Sequence, residues 1–208
     1  MNEHRATPFE KIKGRILDRT YRPGQFLKTA QLAESLIVSA TPVREALVKL
    51  AALGILTEVP GRGYFVSRLS ETDIRDLYDL MLLYLKAALA EAQDRSGLFP
   101  AMDPADPHTT NEDVGRAVAR LFSEVAQISG NRELVKAVQN LNDRLCQVRC
   151  CERFIFNDLQ EEFEDMAERF DRKDWQGLTQ ALDAYHQRRV AHAHLITFRL
   201  ESAACPST

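Results

Sequence analysis

This sequence is poor in the features that mark secreted, membrane or disulfide-bonded proteins. It has four cysteines and one tryptophan in 208 residues. Its longest uninterrupted apolar stretch, Leu80 to Leu85, is six residues, far short of the ~20 that span a bilayer. The opening MNEHRATPFEK has no hydrophobic signal core, so no secretion signal and no membrane partner are expected. Cys146, Cys150 and Cys151 crowd one expected helix and Cys205 lies in the tail, a poor disulfide framework. A reducing, cytoplasmic location is the simpler expectation. Phosphate-binding P-loop, dinucleotide fingerprint, HExxH and nucleophile elbow are all missing, so no enzyme is expected. What remains is 45% hydrophobic and 27% charged, the balance of an ordinary globular chain.

Charge is unevenly distributed. Residues 1–70 hold 11 Lys/Arg against 6 Asp/Glu, whereas the rest hold 16 against 24. A basic N-terminal part on an acidic remainder suits a DNA-binding module joined to a second domain, and equally suits a solvated basic face.

The apolar spacing predicts a helix over Phe9–Arg19, broken at Arg22-Pro23-Gly24. A short helix follows, capped by Thr29 and running through Leu36. Thr41 is expected to cap a third helix, with Pro42 in its first position and Val43, Ala46, Leu47, Leu50 and Ala51 as its buried stripe. Gly54 ends it. Two extended runs, Ile55–Val59 and Tyr64–Leu69, flank Pro60-Gly61-Arg62-Gly63 and read as a hairpin. Three helices and a hairpin make a winged helix-turn-helix, expected over residues 1–69.

Residues 70–208 read as an antiparallel helical bundle. Expected helices cover Glu71–Gln93, Val114–Ile128, Arg132 to about Arg149, about Phe154–Asp171 and Trp175 to about Leu200. Residues 94–112, with Pro100, Pro104 and Pro107, read as a long loop.

In a helix-turn-helix the second helix of the motif enters the major groove by its N-terminal end. Here that end exposes Thr41, Arg44 and Val48 on one face, with Ala40 beside Arg44. Arg44 is placed to reach a guanine edge or a phosphate. Ser39 and Thr41 can donate to phosphate alongside free backbone N–H groups. Lys28 and Lys49 are further phosphate candidates. Arg62, with Gly63 beside it at the hairpin tip, is a minor-groove candidate.

The stretch from Ile16 to Val66, with RPGQFL, QLAESLIVSATPVREAL, LAALGIL and GRGYFV in order, resembles the N-terminal domain of GntR-family bacterial transcription regulators. The helical remainder resembles the FCD effector domain of that family's fatty-acid-regulator-like branch, through LSETDIRDLYDL and LFSEVAQISGNREL. The resemblance implies a homodimer on a near-palindromic double-stranded operator, released or rearranged when a small-molecule effector enters the helical domain, with repression the expected sign. Relatives usually carry arginine where this chain has Ala40, and often where it has Ala30. Each lost base contact removes about 1–3 kcal/mol of discrimination. An altered operator, or weaker and more salt-tolerant binding, is expected.

Many FCD relatives hold a divalent metal through an Asp and three His, and the metal holds a carboxylate effector. Those positions fall here on Ala119, Ser123, Phe163 and Tyr185, with His186 one residue from the last. None is a good ligand for such an ion, so no metal and no cofactor are expected. A family arginine in the first long helix falls on Met81 and an acidic residue on Leu85. Met81, Tyr84, Leu85, Ala119, Phe163 and Tyr185 either fill the core or line a pocket for an apolar or aromatic effector, with Ser123 as a polar handle.

His186, His192 and His194 are expected at or near the surface. Cys146 and Cys150 lie one turn apart near Arg144, Arg149 and Arg153, which leaves a thiol sensor open as a minor reading. Two rivals to an effector-controlled regulator stay open: a helical interaction module, and a constitutive DNA binder with a vestigial effector domain.

Overall fold

The computed structural model describes residues 6–94 and 113–202. One compact unit runs to Leu69 and a second begins at Ser70. The expected loop over 94–112 lies outside the described residues, except for Asp94, the last residue of a helix, and so does Cys205.

The first unit begins with α1 (Pro8–Leu17), one residue ahead of expectation at its start. The reason is a capping box: Thr7 Oγ1 accepts from the Glu10 amide, and Glu10 Oε2 accepts from the Thr7 amide. Strand β1 (Phe26–Leu27), which the sequence did not signal, follows. Next come α2 (Thr29–Leu36) and α3 (Ala40–Ala52). The N-caps are Lys28 and Ser39, not the expected Thr29 and Thr41. Pro42 therefore sits at the third helical position, where its missing N–H still costs no intrahelical bond. The wing is β2 (Leu56–Val59) and β3 (Gly63–Val66), shorter than expected at both outer ends.

The sheet order is β1-β3-β2, all antiparallel, with Phe26 opposite Phe65 and Leu56 opposite Val66. The Arg62 amide donates to the Val59 carbonyl at 2.9 Å across Pro60-Gly61. Gly61, at φ +71°, takes the left-handed position of a Pro-Gly turn. Ile12, Ile16, Leu32, Leu36, Val43, Leu47, Leu50, Leu56 and Val66 pack into one core. Each such side chain contributes about 1.5–3 kcal/mol by leaving water.

The second unit contains α4 (Glu71–Asp94), α5 (Val114–Ile128), α6 (Arg132–Glu152), α7 (Leu159–Asp171), α8 (Trp175–Ala191) and α9 (Ala193–Ser202). Ser70 opens α4 with a reciprocal cap: its hydroxyl accepts from the Asp73 amide, and Asp73 Oδ2 accepts from the Ser70 amide. Three expectations need correction. Helix α6 runs on to Glu152, α7 starts five residues later than expected, and the last long helix is two. The break falls at His192, whose amide is shared among the carbonyls of Arg188, Arg189 and Val190. Its ring Nδ1 lies 2.8 Å from the Arg188 carbonyl, so the side chain competes for the same turn. Helix α4 packs on α5, α6, α8 and α9, and is the central member of the bundle.

The turn between α2 and α3 holds Ile37 at φ +56°, with 92% of its surface exposed. A β-branched residue is strained there, at a cost of about 1–2 kcal/mol, and packing returns almost nothing. Ile37→Gly is expected to stabilise the first unit by about 1 kcal/mol. Hydrogen exchange of the slowest α3 amides measures this, and unchanged or reduced protection would show that the turn carries no strain.

Candidate DNA interface and buried polar core

Helix α3 is two-sided. Val43, Ala46, Leu47 and Leu50 are buried, while Thr41, Arg44, Val48 and Lys49 are exposed. Ser39 forms no side-chain cap hydrogen bond, so its hydroxyl is uncommitted and the first-turn N–H groups lack a protein acceptor. Arg44, a possible partner for Glu34 or Glu45 on sequence alone, makes no ion pair or side-chain hydrogen bond among the described residues. Lys28 is exposed at the start of α2. Ala30 is exposed and Ala40 half-buried, so both are placed on the same motif without a donor to offer.

At the wing, the exposed Arg62 carries its guanidinium carbon 5.8 Å from the centre of the Phe65 ring. Gly63 has a local reason to be glycine. Its φ is +99°, and a Cβ would stand 2.9 Å from the Phe26 ring. Arg15, by contrast, is occupied within the domain, donating to Ser35 Oγ at 3.0 Å.

In the helical unit, Met81, Leu85, Phe163 and Tyr185 are buried, while Tyr84, Ala119 and Ser123 are half-buried. Ser123 Oγ donates to the Ala119 carbonyl at 2.9 Å and receives Asn142 Nδ2 at 3.0 Å. The same amide group also donates to the Ala119 carbonyl at 2.8 Å. The Tyr185 ring lies edge-on to Phe122, centres 5.4 Å apart. No metal fits the positions that the resemblance to FCD domains points to: Ala119 and Phe163 have no donor atom, and Ser123 and Tyr185 offer neutral hydroxyls.

What sequence reasoning missed is a buried polar group around these residues. Arg189 of α8 is 1% exposed. Its Nε and Nη2 donate to Glu152 Oε2 at 3.1 and 2.9 Å, and its Nη1 donates to Glu162 Oε1 at 2.7 Å. Its guanidinium carbon sits 3.4 Å from the Tyr185 ring centre. The Tyr78 hydroxyl of α4 donates to the other Glu152 oxygen. Burial, and then the Glu152 charge, raise the Tyr78 phenol well above its ordinary value. Burial likewise pushes Tyr185 up to about 12, so both phenols stay protonated.

His186, expected near the surface, is fully buried. Its Nδ1 lies 2.7 Å from the Leu182 carbonyl, which can only accept. Nδ1 therefore carries the proton and Nε2 presents a lone pair. Its ring stacks on Phe122 at 5.4 Å and 21°. Burial drives its pKa down to about 3, with the Arg149 and Arg189 charges adding to the effect and the Leu182 hydrogen bond opposing it.

The periodic signal for these groups was present. The α6 stripe Leu134, Val138, Leu141, Leu145 continues by the same step to Arg149 and Glu152. The α8 stripe Leu178, Leu182, Tyr185 continues to Arg189. The three free cysteines of α6 include two that are buried, Cys150 and Cys151. Among the described residues no cluster of three His, Cys, Asp or Glu is placed to hold a metal ion, and no helix is long and apolar enough to cross a membrane.

A two-sided α3 preceded by α2 and followed by an antiparallel wing is a winged helix-turn-helix, the architecture of a DNA-binding domain. Residues 7–66 match the bacterial regulatory proteins, gntR family, and this N-terminal domain belongs to it. Over 133 residues the chain is 30% identical to the Nta operon transcriptional regulator of Aminobacter aminovorans, which covers 60% of this chain and 63% of the relative. The chain thus matches just under two thirds of that relative's length. The family and this relative are described as regulators, not as enzymes. A putative GntR transcriptional regulator from Rhodococcus sp. RHA1 shares the fold at 20% identity and a TM-score of 0.70, covering 89% of this chain and 95% of that one. The E. coli McbR/YncC structure does so at 22% and 0.61, covering 90% and 95%.

The buried His186 makes stability depend on pH. The unfolded chain binds its proton below pH 6.5, whereas the native chain does not until about pH 3. Acid therefore favours unfolding, and the contribution is lost as pH falls below 6.5. Between pH 7 and pH 5 the loss is roughly 2 kcal/mol. Urea unfolding followed through Trp175 in the helical unit is expected to show this loss in the native sequence and a flatter profile in His186→Phe. Parallel profiles for the two proteins would contradict it.

Proposed function

We propose that this chain is a sequence-specific, DNA-binding transcription regulator of repressor type, controlled by a small-molecule effector held without a metal in the helical unit. The observation that carries the DNA half is the uncommitted face of α3: Ser39, Thr41, Arg44 and Val48 exposed opposite a fully buried stripe. Arg44 and Val48 read base edges, Ser39, Thr41, Lys28 and Lys49 hold phosphates, and Arg62 beside Gly63 enters the minor groove. Repression and effector control follow the family's pattern. The apolar and aromatic surroundings of Phe122 and Tyr185 support an effector with an apolar or aromatic body, one that Met81, Tyr84, Leu85, Ala119, Ser123 and Phe163 would also face.

The chain acts as a homodimer in this reading. Leu83 of α4 and Phe198 of α9 are 62% and 63% exposed, on helices that pack together, and Leu80 and Leu195 are exposed beside them. A second copy is the occupant that covers them on a palindromic site. Leu83→Asp combined with Phe198→Asp is expected to give a monomer by sedimentation, and a native chain that is already monomeric at micromolar concentration would refute the dimer.

Selection from a random duplex pool tests the DNA reading. A palindromic motif is expected, with half-sites unlike the usual family one because Ala30 and Ala40 supply no arginine. Arg44→Ala is expected to cost about 1–3 kcal/mol and relax specificity. Lys49→Ala is expected to weaken binding uniformly and lower the salt slope by about 0.9. An absence of any enriched motif, with affinity insensitive to salt, would favour a helical interaction module instead.

A further inference from the structure

The helical unit buries two arginines and treats them differently. Arg189 is fully engaged by Glu152 and Glu162. Arg149, 3% exposed, has none of its three guanidinium nitrogens hydrogen-bonded. The two carboxylates of this cluster are taken in direct contact by Arg189, and the Arg149 guanidinium carbon lies 5.3 Å from the centre of the Phe122 ring. A buried charge without an acceptor is among the costliest arrangements a core can hold.

Other unsatisfied atoms lie around the same ring. The Tyr185 hydroxyl and His186 Nε2 have no partner, and both side chains pack against Phe122. Asn142 Oδ1, on the same face of α6 as Arg149, is also without one. Their chemistry is complementary to one kind of guest. Arg149 and the Tyr185 hydroxyl donate, and they match the two oxygens of a carboxylate. The neutral His186 Nε2 and Asn142 Oδ1 accept, and they match a hydroxyl or amine elsewhere on the guest. The rings of Phe122 and Tyr185 supply the apolar wall.

We propose that Arg149 anchors the effector as an organic carboxylate with an apolar or aromatic body, the guanidinium supplying the positive charge that a metal would otherwise provide, with Tyr185 and His186 as its further polar contacts. This rests on the reading of the helical unit as an effector domain and names the chemical class that unit takes.

The test uses the full chain, with benzoate, 3-hydroxybenzoate and hexanoate as probes and benzamide and hexanamide as neutral isosteres. At millimolar concentration at least one carboxylate is expected to raise the melting temperature, by mass action on the native state, while its amide does not. Arg149→Met is expected to weaken that binding by about 100-fold. Without ligand, the same variant is expected to melt at the same temperature or higher, because it removes an unpaired buried charge. Arg149→Lys, which keeps the charge but not the fork, is expected to fall between. Amides binding as well as carboxylates would overturn the anion anchor and leave the effector reading standing. Silence from every probe would overturn both. A ligand-free Arg149→Met that melts well below the native chain would assign Arg149 a structural role and overturn the proposal.

Discussion

The helical unit depends on one guanidinium. Arg189 reaches from α8 to Glu152 at the end of α6 and to Glu162 in the first turn of α7, while Tyr78 of α4 closes the far side of Glu152. Four helices are thereby referred to a single buried charge. The desolvation cost of such a group is repaid only when every lone pair and donor near it is used. Here it nearly is: Arg189 also donates to the Tyr185 carbonyl and lies flat on the Tyr185 ring. The network fixes which faces of α6 and α8 point inward, and so sets Arg149, Tyr185 and His186 around Phe122.

The contrast between the two arginines gives the cluster its meaning. A core short of acceptors everywhere would leave both unsatisfied. This one gives its acceptors to Arg189 and leaves Arg149, the Tyr185 hydroxyl and His186 Nε2, all on side chains that pack against Phe122, without partners. Natural cores satisfy the great majority of buried polar atoms. The three side chains that border one ring are where the proposed carboxylate would find its donors and acceptors. Ordered water could satisfy some of these atoms, but it brings no charge to offset the guanidinium.

Much of the fold was legible because its signals were local. Helix α5 was read to the residue from its apolar stripe, and the wing from two extended runs around a Pro-Gly turn. Strand β1 escaped because two residues carry no periodicity; it exists through its pairing with β3, a contact some forty positions away. The break between α8 and α9 escaped because nothing in the sequence there forbids a helix, and only the geometry at His192 ends it. The buried charges escaped for a different reason. Arginine and glutamate on an amphipathic helix are ordinarily solvated, so spacing alone does not mark Arg149 and Arg189 as buried members of the stripes that pass through Leu145 and Tyr185.

The N-terminal unit and the helical unit depart in opposite ways from what the resemblance to GntR regulators implies. At Ala30 and Ala40, where the resemblance implies arginines, the motif offers no charged side chain, and neither alanine is a burden on folding. In the helical unit, the positions where the resemblance to FCD domains implies metal ligands hold Ala119, Ser123, Phe163 and Tyr185, while an unpaired cation stands buried on α6. Apolar side chains alone would leave a core there able to close up and gain stability. Retaining a desolvated arginine there has the opposite effect on the ligand-free protein. Such a cost is tolerated where a bound state recovers it, because an interaction made only with the ligand is what couples binding to conformation. The position that is hardest to justify by folding is therefore the one most informative about the proposed effector.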